Sequence, residues 1–282
     1  MDRHGIDRVE LKVLLASQFI LPSIPRVVAL LLSELDKDEP DLMKVSQLIS
    51  TDPALTTRLL QISNSDQYQL AYTINSVSES LAILGLKHVR AVTATAAGAS
   101  SFKSVAGINL QQFWRYSLDV AKISRSLAGV VRQNPQAAFT CGLIHAVGEL
   151  AMHLAMPELI TLVNNENPPL GLRRTELEMQ TFGFDYGHVG AGYARQWQFP
   201  QPIVDALEHQ GRPFEKDVFE PLAGVIHLAT WRARAKDAGL DQRGLAVTFP
   251  GEVGDIMKLD IDMVLQQDPI DWSAQVQGQR FR

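Results

Sequence analysis

The sequence predicts an all-α fold, and three observations carry that prediction. Apolar residues recur at helical spacing, no proline interrupts the chain between Pro53 and Pro135, and capping residues stand where the periodic runs begin. Only Leu245–Phe249 has the β-branched and aromatic character of a strand, and one strand builds no sheet. The expected organisation is an N-terminal helical subdomain over residues 12–106 and a second helical subdomain over residues 107–236. A loosely structured, Gly- and Asp-punctuated cap or tail follows over residues 237–282. The first boundary falls near Gly107, where the periodicity breaks and a long helix containing Phe113-Trp114 begins.

Each element has a local reason. Asp41–Ser50 puts Leu42, Val45, Leu48 and Ile49 on one face, the pattern of a core-facing helix. At Thr51-Asp52-Pro53 the aspartate can cap and the proline takes the first helical position of an element that ends near Asn64. Ser76-Val77-Ser78-Glu79 has the form of a capping box, and Gly85 ends the turn carrying Leu81, Ile83 and Leu84. Further helices are predicted at Leu86–Phe102, Leu110–Val131, Pro135–Ala155, Leu170–Phe182, Tyr186–Gln198, Pro202–Gln210 and Val218–Ala235. Asn164–Pro169 reads as a loop.

Composition narrows the functional classes. With 46% hydrophobic and 20% charged residues, the chain of 282 residues is globular. One cysteine, Cys141, excludes a disulfide framework and a cysteine-rich zinc module. Gln133–Gly148, the longest apolar-leaning uncharged stretch, falls short of a membrane span, and no apolar run follows the charged N-terminus, so a cytoplasmic location is expected. The net charge of −5 argues against general nucleic-acid binding. Residues 53–156 are nevertheless net +4 against −9 in the flanks, which is either a solvated basic face or the neighbourhood of a small anionic ligand.

Several segments then resemble one family. Leu21-Pro22-Ser23-Ile24-Pro25, Asp52-Pro53-Ala54-Leu55-Thr56, Ser63-Asn64-Ser65 and Ile83-Leu84-Gly85-Leu86 come in the order and spacing of the HDOD domain, the HD-related output domain of bacterial signalling proteins. Phe113-Trp114-Arg115-Tyr116-Ser117, the run Ala138–Gly148 and His188-Val189-Gly190-Ala191-Gly192 continue the likeness, which covers about residues 12–235. The resemblance implies an N-terminal helical bundle packed on a C-terminal part that descends from HD-type metal phosphohydrolases. It also implies a regulatory module without demonstrated catalysis, here as a stand-alone member.

HD phosphohydrolases hold a divalent metal with a first His, a His-Asp dyad and a later Asp. Carried over position by position, the resemblance puts Tyr116 at the first His, His145-Ala146 at the dyad and Thr230 at the final Asp. Only His145 survives, so no metal and no cofactor are expected. A relic pocket of His145, Glu149, His188, His209 and Tyr116 stays open. The competing reading makes His145 a core histidine bonded to Glu149 or to a backbone carbonyl. Cys141, in an apolar helix, reads as an inert buried thiol. The glycines from Gly187 to Gly192 lack the preceding strand of a dinucleotide site and read as a small-residue packing stripe beyond an Asp185 cap.

Asn64 is read as a cap or a brace for the irregular segment after it, and Arg90 as the partner of a buried carboxylate or a helix C-terminus; both could instead line a cleft. Trp114, with Phe113 and Phe139, is read as a core anchor, and Arg173-Arg174 as a solvated pair. The expectation is a non-enzymatic signalling module acting on an unknown signalling protein or a small anionic ligand, with no nucleic acid and no membrane. The alternatives are a residual HD-type metal-dependent phosphohydrolase or nucleotide phosphodiesterase, and a small-molecule sensor with its site in the subdomain cleft.

Overall fold

Helices begin where the sequence offers a cap. Asp41, Asp52, Asn109, Asn134, Asp185, Asp241 and Asp260 each accept a backbone N–H from the first turn that follows. The computed structural model describes residues 10–68, 70, 72–99, 104–214 and 219–267. Among these the chain runs through α1 (Leu11–Leu15), α2 (Pro25–Leu35), α3 (Leu42–Ile49), α4 (Pro53–Ser63), α5 (Val77–Ala99), α6 (Leu110–Val130), α7 (Pro135–Ile144) and α8 (Val147–Ala155). It continues through α9 (Pro157–Glu166), α10 (Arg174–Phe182), α11 (Tyr186–Gln196), α12 (Gln201–His209), α13 (Pro221–Asp237), α14 (Gln242–Thr248), α15 (Gly251–Met257) and α16 (Ile261–Leu265). The only extended pairing among the described residues is an isolated bridge between Val105 and Ile108. The expected helix end at Phe102, the Lys103 charge, the Val218 helix start, residues 1–9 and the end of the tail from residue 268 lie outside the described residues.

Two hydrophobic cores result. The first gathers Val28, Leu31 and Leu35 of α2, Val45 and Ile49 of α3, Leu55 and Leu59 of α4, and Leu84 and Val89 of α5. The second, larger core gathers Phe113, Val120 and Ile123 of α6, Leu143 of α7, Leu150 of α8, Val189 of α11, Ile203 of α12 and Leu228 of α13. Leu60 of α4 and Ile74 also enter this second core. So does Leu14: α1 lies on α11, where the Tyr193 hydroxyl donates to the Leu14 carbonyl at 2.7 Å. The start of the expected N-terminal subdomain thus packs with the C-terminal part.

Asp52 shows how one side chain organises the first core. Its Oδ1 accepts Leu55 N–H at 3.0 Å as a helix cap, and its Oδ2 accepts Ile24 N–H at 2.6 Å. The Leu21–Pro25 segment is thereby tied to the start of α4. The capping box before α5 is displaced by one residue: Ser76 Oγ accepts Glu79 N–H at 3.3 Å, but Glu79 reaches back to the amide of Asn75 at 3.1 Å. Gly85, at φ 64° and ψ 172°, kinks α5 in a conformation that disfavours a side chain.

Five expectations require correction. Pro135–Ala155 is two helices, because the His145 ring nitrogen Nδ1 takes the Gly142 carbonyl at 2.7 Å and the chain turns at His145–Ala146. That stretch is apolar and long enough to cross a membrane, but 89% of its most apolar window is buried in the fold. Leu245–Thr248 is helical: Asp241 caps the helix through Gly244 N–H at 2.7 Å, and among the described residues no strand pairs with it. The loop expected at Asn164–Pro169 begins only after α9, whose start Pro157 marks. The predicted helix from Leu170 starts at Arg174, after a turn closed by Gly171 N–H to Pro168 O at 2.8 Å. Finally, residues 237–267 form no loose tail. The α15–α16 region adds Val253, Met257, Leu259 and Val264 to the second core, and Phe249 packs edge-on against Trp231 at 5.2 Å.

The glycine stripe acts where α11 meets α8, and its tight point is Gly148. A Cβ at Gly148 would stand 2.0 Å from the Tyr186 carbonyl oxygen, whereas one at Gly190 would make ordinary contact at 3.7 Å from Gly148 N. Gly148→Ala should therefore destabilise by at least ~1–3 kcal/mol. Gly190→Ala should be neutral or stabilising by up to ~1 kcal/mol through helix propensity. Urea denaturation of the two variants separates them, and equal effects would contradict this packing.

Candidate functional site

The five residues expected to share a relic pocket do not converge on one point. His145 is fully buried; its Nδ1 donates to the Gly142 carbonyl and its Nε2 has no partner. Burial pushes its pKa down to about 3, so the ring is neutral at neutral pH. Tyr116 lies against it, ring centroids 5.2 Å apart, with its buried hydroxyl beside Arg234 and Thr230 but in no well-formed hydrogen bond.

Glu149 turns away from His145. Its Oε1 receives Arg174 at 2.6 Å, while Arg174 also binds Glu178 at 2.6 Å, Asn164 Oδ1 at 2.8 Å and the Asn167 carbonyl at 2.9 Å. Arg174 is wholly buried, which corrects its reading as half of a solvated pair; Arg173 alone is exposed. His153 completes this cluster, donating to the Glu149 carbonyl at 2.8 Å and meeting Asn164 at 3.1 Å. His188 stands apart, its Nδ1 2.8 Å from Asp185 Oδ1, and His209 lies 3.8 Å from Glu208.

HD phosphohydrolases hold a metal at the position of His145, and the side chains around it in this chain do not fit one. The groups around His145 are a phenol, a threonine hydroxyl and a guanidinium, with no carboxylate ligand among them. A guanidinium repels a divalent cation, and such a cation takes carboxylate and imidazole donors. Among the described residues no group of three or more His, Cys, Asp or Glu side chains is placed to share a metal. Cys141 is buried, and desolvation pushes its thiol pKa up, which suppresses the thiolate.

What this region does hold is a cavity of about 370 Å³ between α13, the start of α10 and the Gln210–Arg212 turn after α12, walled on one side by Thr248 and Pro250. Tyr186, Gln210, His227, Thr230 and Arg234 line it. The Gln210 amide is fixed by donation to the carbonyls of His145 and Leu207, both at 3.0 Å, and the His227 Nδ1 donates to the Gln210 carbonyl at 2.7 Å. Burial pushes the His227 pKa down, so this imidazole too favours the neutral form. Arg234 donates to the Tyr186 hydroxyl at 3.1 Å and lies over the rings of Tyr116 and Tyr186, each at 5.8 Å.

Arg234 escapes a reading of the sequence. It follows Thr230 by one turn, and the only local signal is a charge between two alanines on a helix otherwise buried all round. Arg58 bonds Gln61, Arg115 pairs with Asp237, and Arg90 meets Asp36 at 3.6 Å with both side chains exposed, not the buried carboxylate expected.

Asn64 braces the chain: its Nδ2 donates to the carbonyls of Leu60 and Ile74, and its Oδ1 accepts Ile74 N–H at 2.7 Å. Trp114 is only half-buried, with its indole N–H enclosed and unpartnered; the fully buried aromatic anchor of α6 is its neighbour Phe113.

With this geometry in view, three comparisons bear on the chain. The model of the HDOD domain matches residues 21–213. The solved structure of the MmoQ response regulator from Methylococcus capsulatus is similar, at 25% identity and a TM-score of 0.68, covering 88% of this chain and 97% of that one. A virulence factor of Campylobacter jejuni, cj0248, shares the fold at 19% identity and a TM-score of 0.65, covering 92% of this chain and 97% of that one. An uncharacterized protein of Treponema pallidum is 23% identical over 222 residues; the match takes in 77% of this chain but only 43% of that longer protein.

Proposed function

The chain belongs to the HDOD domain family, and on that premise we propose that it is a non-enzymatic signal-transduction module of the cytoplasm. It works by binding a small ligand or a signalling protein, and the consequence of binding is carried by the packing of its two helical parts. Family membership and the likeness to a response regulator support a signalling-related role. The non-catalytic part of the reading rests on one observation. At the position where HD phosphohydrolases hold their metal, this chain sets Tyr116, His145, Ala146 and Thr230 beside the cation Arg234. Water activation by a metal needs the reverse, a cluster of anionic and neutral donors.

The test is direct. Purified protein should contain no stoichiometric iron, manganese or zinc, and should hydrolyse neither cyclic dinucleotides nor nucleoside phosphates above background with Mg²⁺ or Mn²⁺ present. A bound metal lost on His145→Ala, or turnover lost on the same substitution, would make the protein a residual metal-dependent phosphohydrolase or phosphodiesterase instead.

A further inference from the structure

We propose that the cavity beside Arg234 binds a small oxyanion, a phosphate- or carboxylate-bearing molecule of metabolite size, with Arg234 as its counter-charge. The inference deepens the ligand-binding reading above and takes from it only the premise that the cavity binds without hydrolysing.

Three properties of the cavity carry it. The first is charge. Arg234 is 7% exposed, and it donates a hydrogen bond to a neutral phenol, Tyr186. Among the described residues no carboxylate forms an ion pair with it. Glu149, the acid that acts on it electrostatically, is already bound by Arg174. Burial and the neighbouring Glu149 also push the Glu178 pKa well above the ordinary range, which favours the neutral acid there. Arg234 is thus left without an ion-pair partner of its own among the described residues. A guanidinium cannot shed its proton to escape this, so burial favours an anionic partner.

The second property is unsatisfied polarity. Thr230 Oγ1, Gln210 Oε1 and Arg234 Nε are all buried without a hydrogen-bond partner, and all three residues line the same cavity. The Gln210 amide cannot simply turn over, since the N–H groups of Nε2 already serve two carbonyls; its oxygen is left as an acceptor for a hydroxyl or amine on the bound molecule. Buried polar atoms are ordinarily paired, so three orphans around one void mark a place where solvent or a ligand belongs.

The third property is size. A volume of about 370 Å³ lies within the range of small-molecule sites. Arginine suits the planar, two-pronged oxygens of a carboxylate or phosphate. The one acid on the lining, Glu176, is exposed and paired with Arg173.

Inorganic phosphate, adenosine monophosphate and malonate serve as probes, with chloride at equal ionic strength as the control, read by thermal shift and calorimetry on the full chain. At least one probe should raise the melting temperature saturably, and Arg234→Met should weaken its binding by at least about tenfold. Arg234→Lys guards against a folding defect. Lysine should keep weakened binding because the charge remains, and Gln210→Leu should weaken adenosine monophosphate more than inorganic phosphate. Preference among the probes distinguishes a phosphate ligand from a carboxylate one. Absence of saturable binding by any probe, or binding unchanged in a folded Arg234→Met, would overturn the site while leaving the non-catalytic reading intact. Release of phosphate from bound adenosine monophosphate would do the opposite, sinking the non-catalytic reading and keeping the site.

Discussion

Arg174→Met should destabilise the protein by about 3–5 kcal/mol, the loss expected when one member of a buried ion pair is removed. Arg174, Glu149 and Glu178 are all essentially inaccessible, and two carboxyl groups share one guanidinium. Burial and Glu149 raise the Glu178 pKa, so the two carboxyl groups compete for the one guanidinium. Methionine fills most of the volume but leaves the carboxylate with no counter-ion and strips Asn164 and the Asn167 carbonyl of their donor. Adding Glu149→Gln to Arg174→Met should recover part of the loss, because the orphaned charge is gone. Urea denaturation of the single and double variants checks both statements. A single variant within 1 kcal/mol of the parent, roughly a surface effect, would mean the cluster does not hold α8, α9 and α10 together.

The second large effect appears with pH. In the folded chain burial holds His145 neutral down to about 3, whereas the unfolded chain takes up that proton below the ordinary value of 6.5. Between those limits the unfolded state binds more protons, so stability is full above pH 6.5 and is lost as pH falls towards 3. The window of three to four units corresponds to about 5 kcal/mol in total, and about 2 kcal/mol between pH 7 and pH 5. His145→Asn keeps an amide donor for the Gly142 carbonyl and removes the titration. Its stability deficit relative to the parent should therefore shrink by that ~2 kcal/mol at pH 5. Asp52 works in the other direction: burial pushes its pKa up to about 6 from 3.8, so its protonation favours the folded state as pH falls through that range. Glu34, held at about 2 by Lys44 and Lys37, loses its contribution only under stronger acid. Both groups act equally in parent and variant and cancel in the difference. Parallel pH profiles for the two proteins would show that His145 is not the buried neutral group described.

Helix starts were the most legible feature of the chain because their chemistry is local. An aspartate or asparagine that must accept the first-turn amides, or a proline that has no amide to satisfy, announces itself without its neighbours. Breaks within apolar runs were not legible. Nothing in Pro135–Ala155 shows that the His145 ring will compete for the Gly142 carbonyl, because that competition depends on burial from α6 and α12. The all-α architecture and the family were readable from ordered motifs, but the interior of the site was not. Arg174 and Arg234 each look like a solvated surface charge in one dimension. Whether an arginine faces water or a buried carboxylate is decided by helices α8, α10, α12 and α13 meeting in space. His145 could be picked out by its place in a motif. Its separation from Glu149 could not, since the partner of Glu149 arrives from Arg174, in another helix.

Leu59 and Leu60 are adjacent on α4, yet one is sealed in the first hydrophobic core and the other in the second. Successive residues on a helix point about 100° apart, so α4 is a party wall, with each face finishing a different room. Neither room can be opened without exposing the shared wall, and the leucine exposed would be one that the other side also loses when the helix frays. Because α4 belongs to both cores, urea denaturation is expected to show one cooperative transition, and two separate transitions would contradict the shared wall.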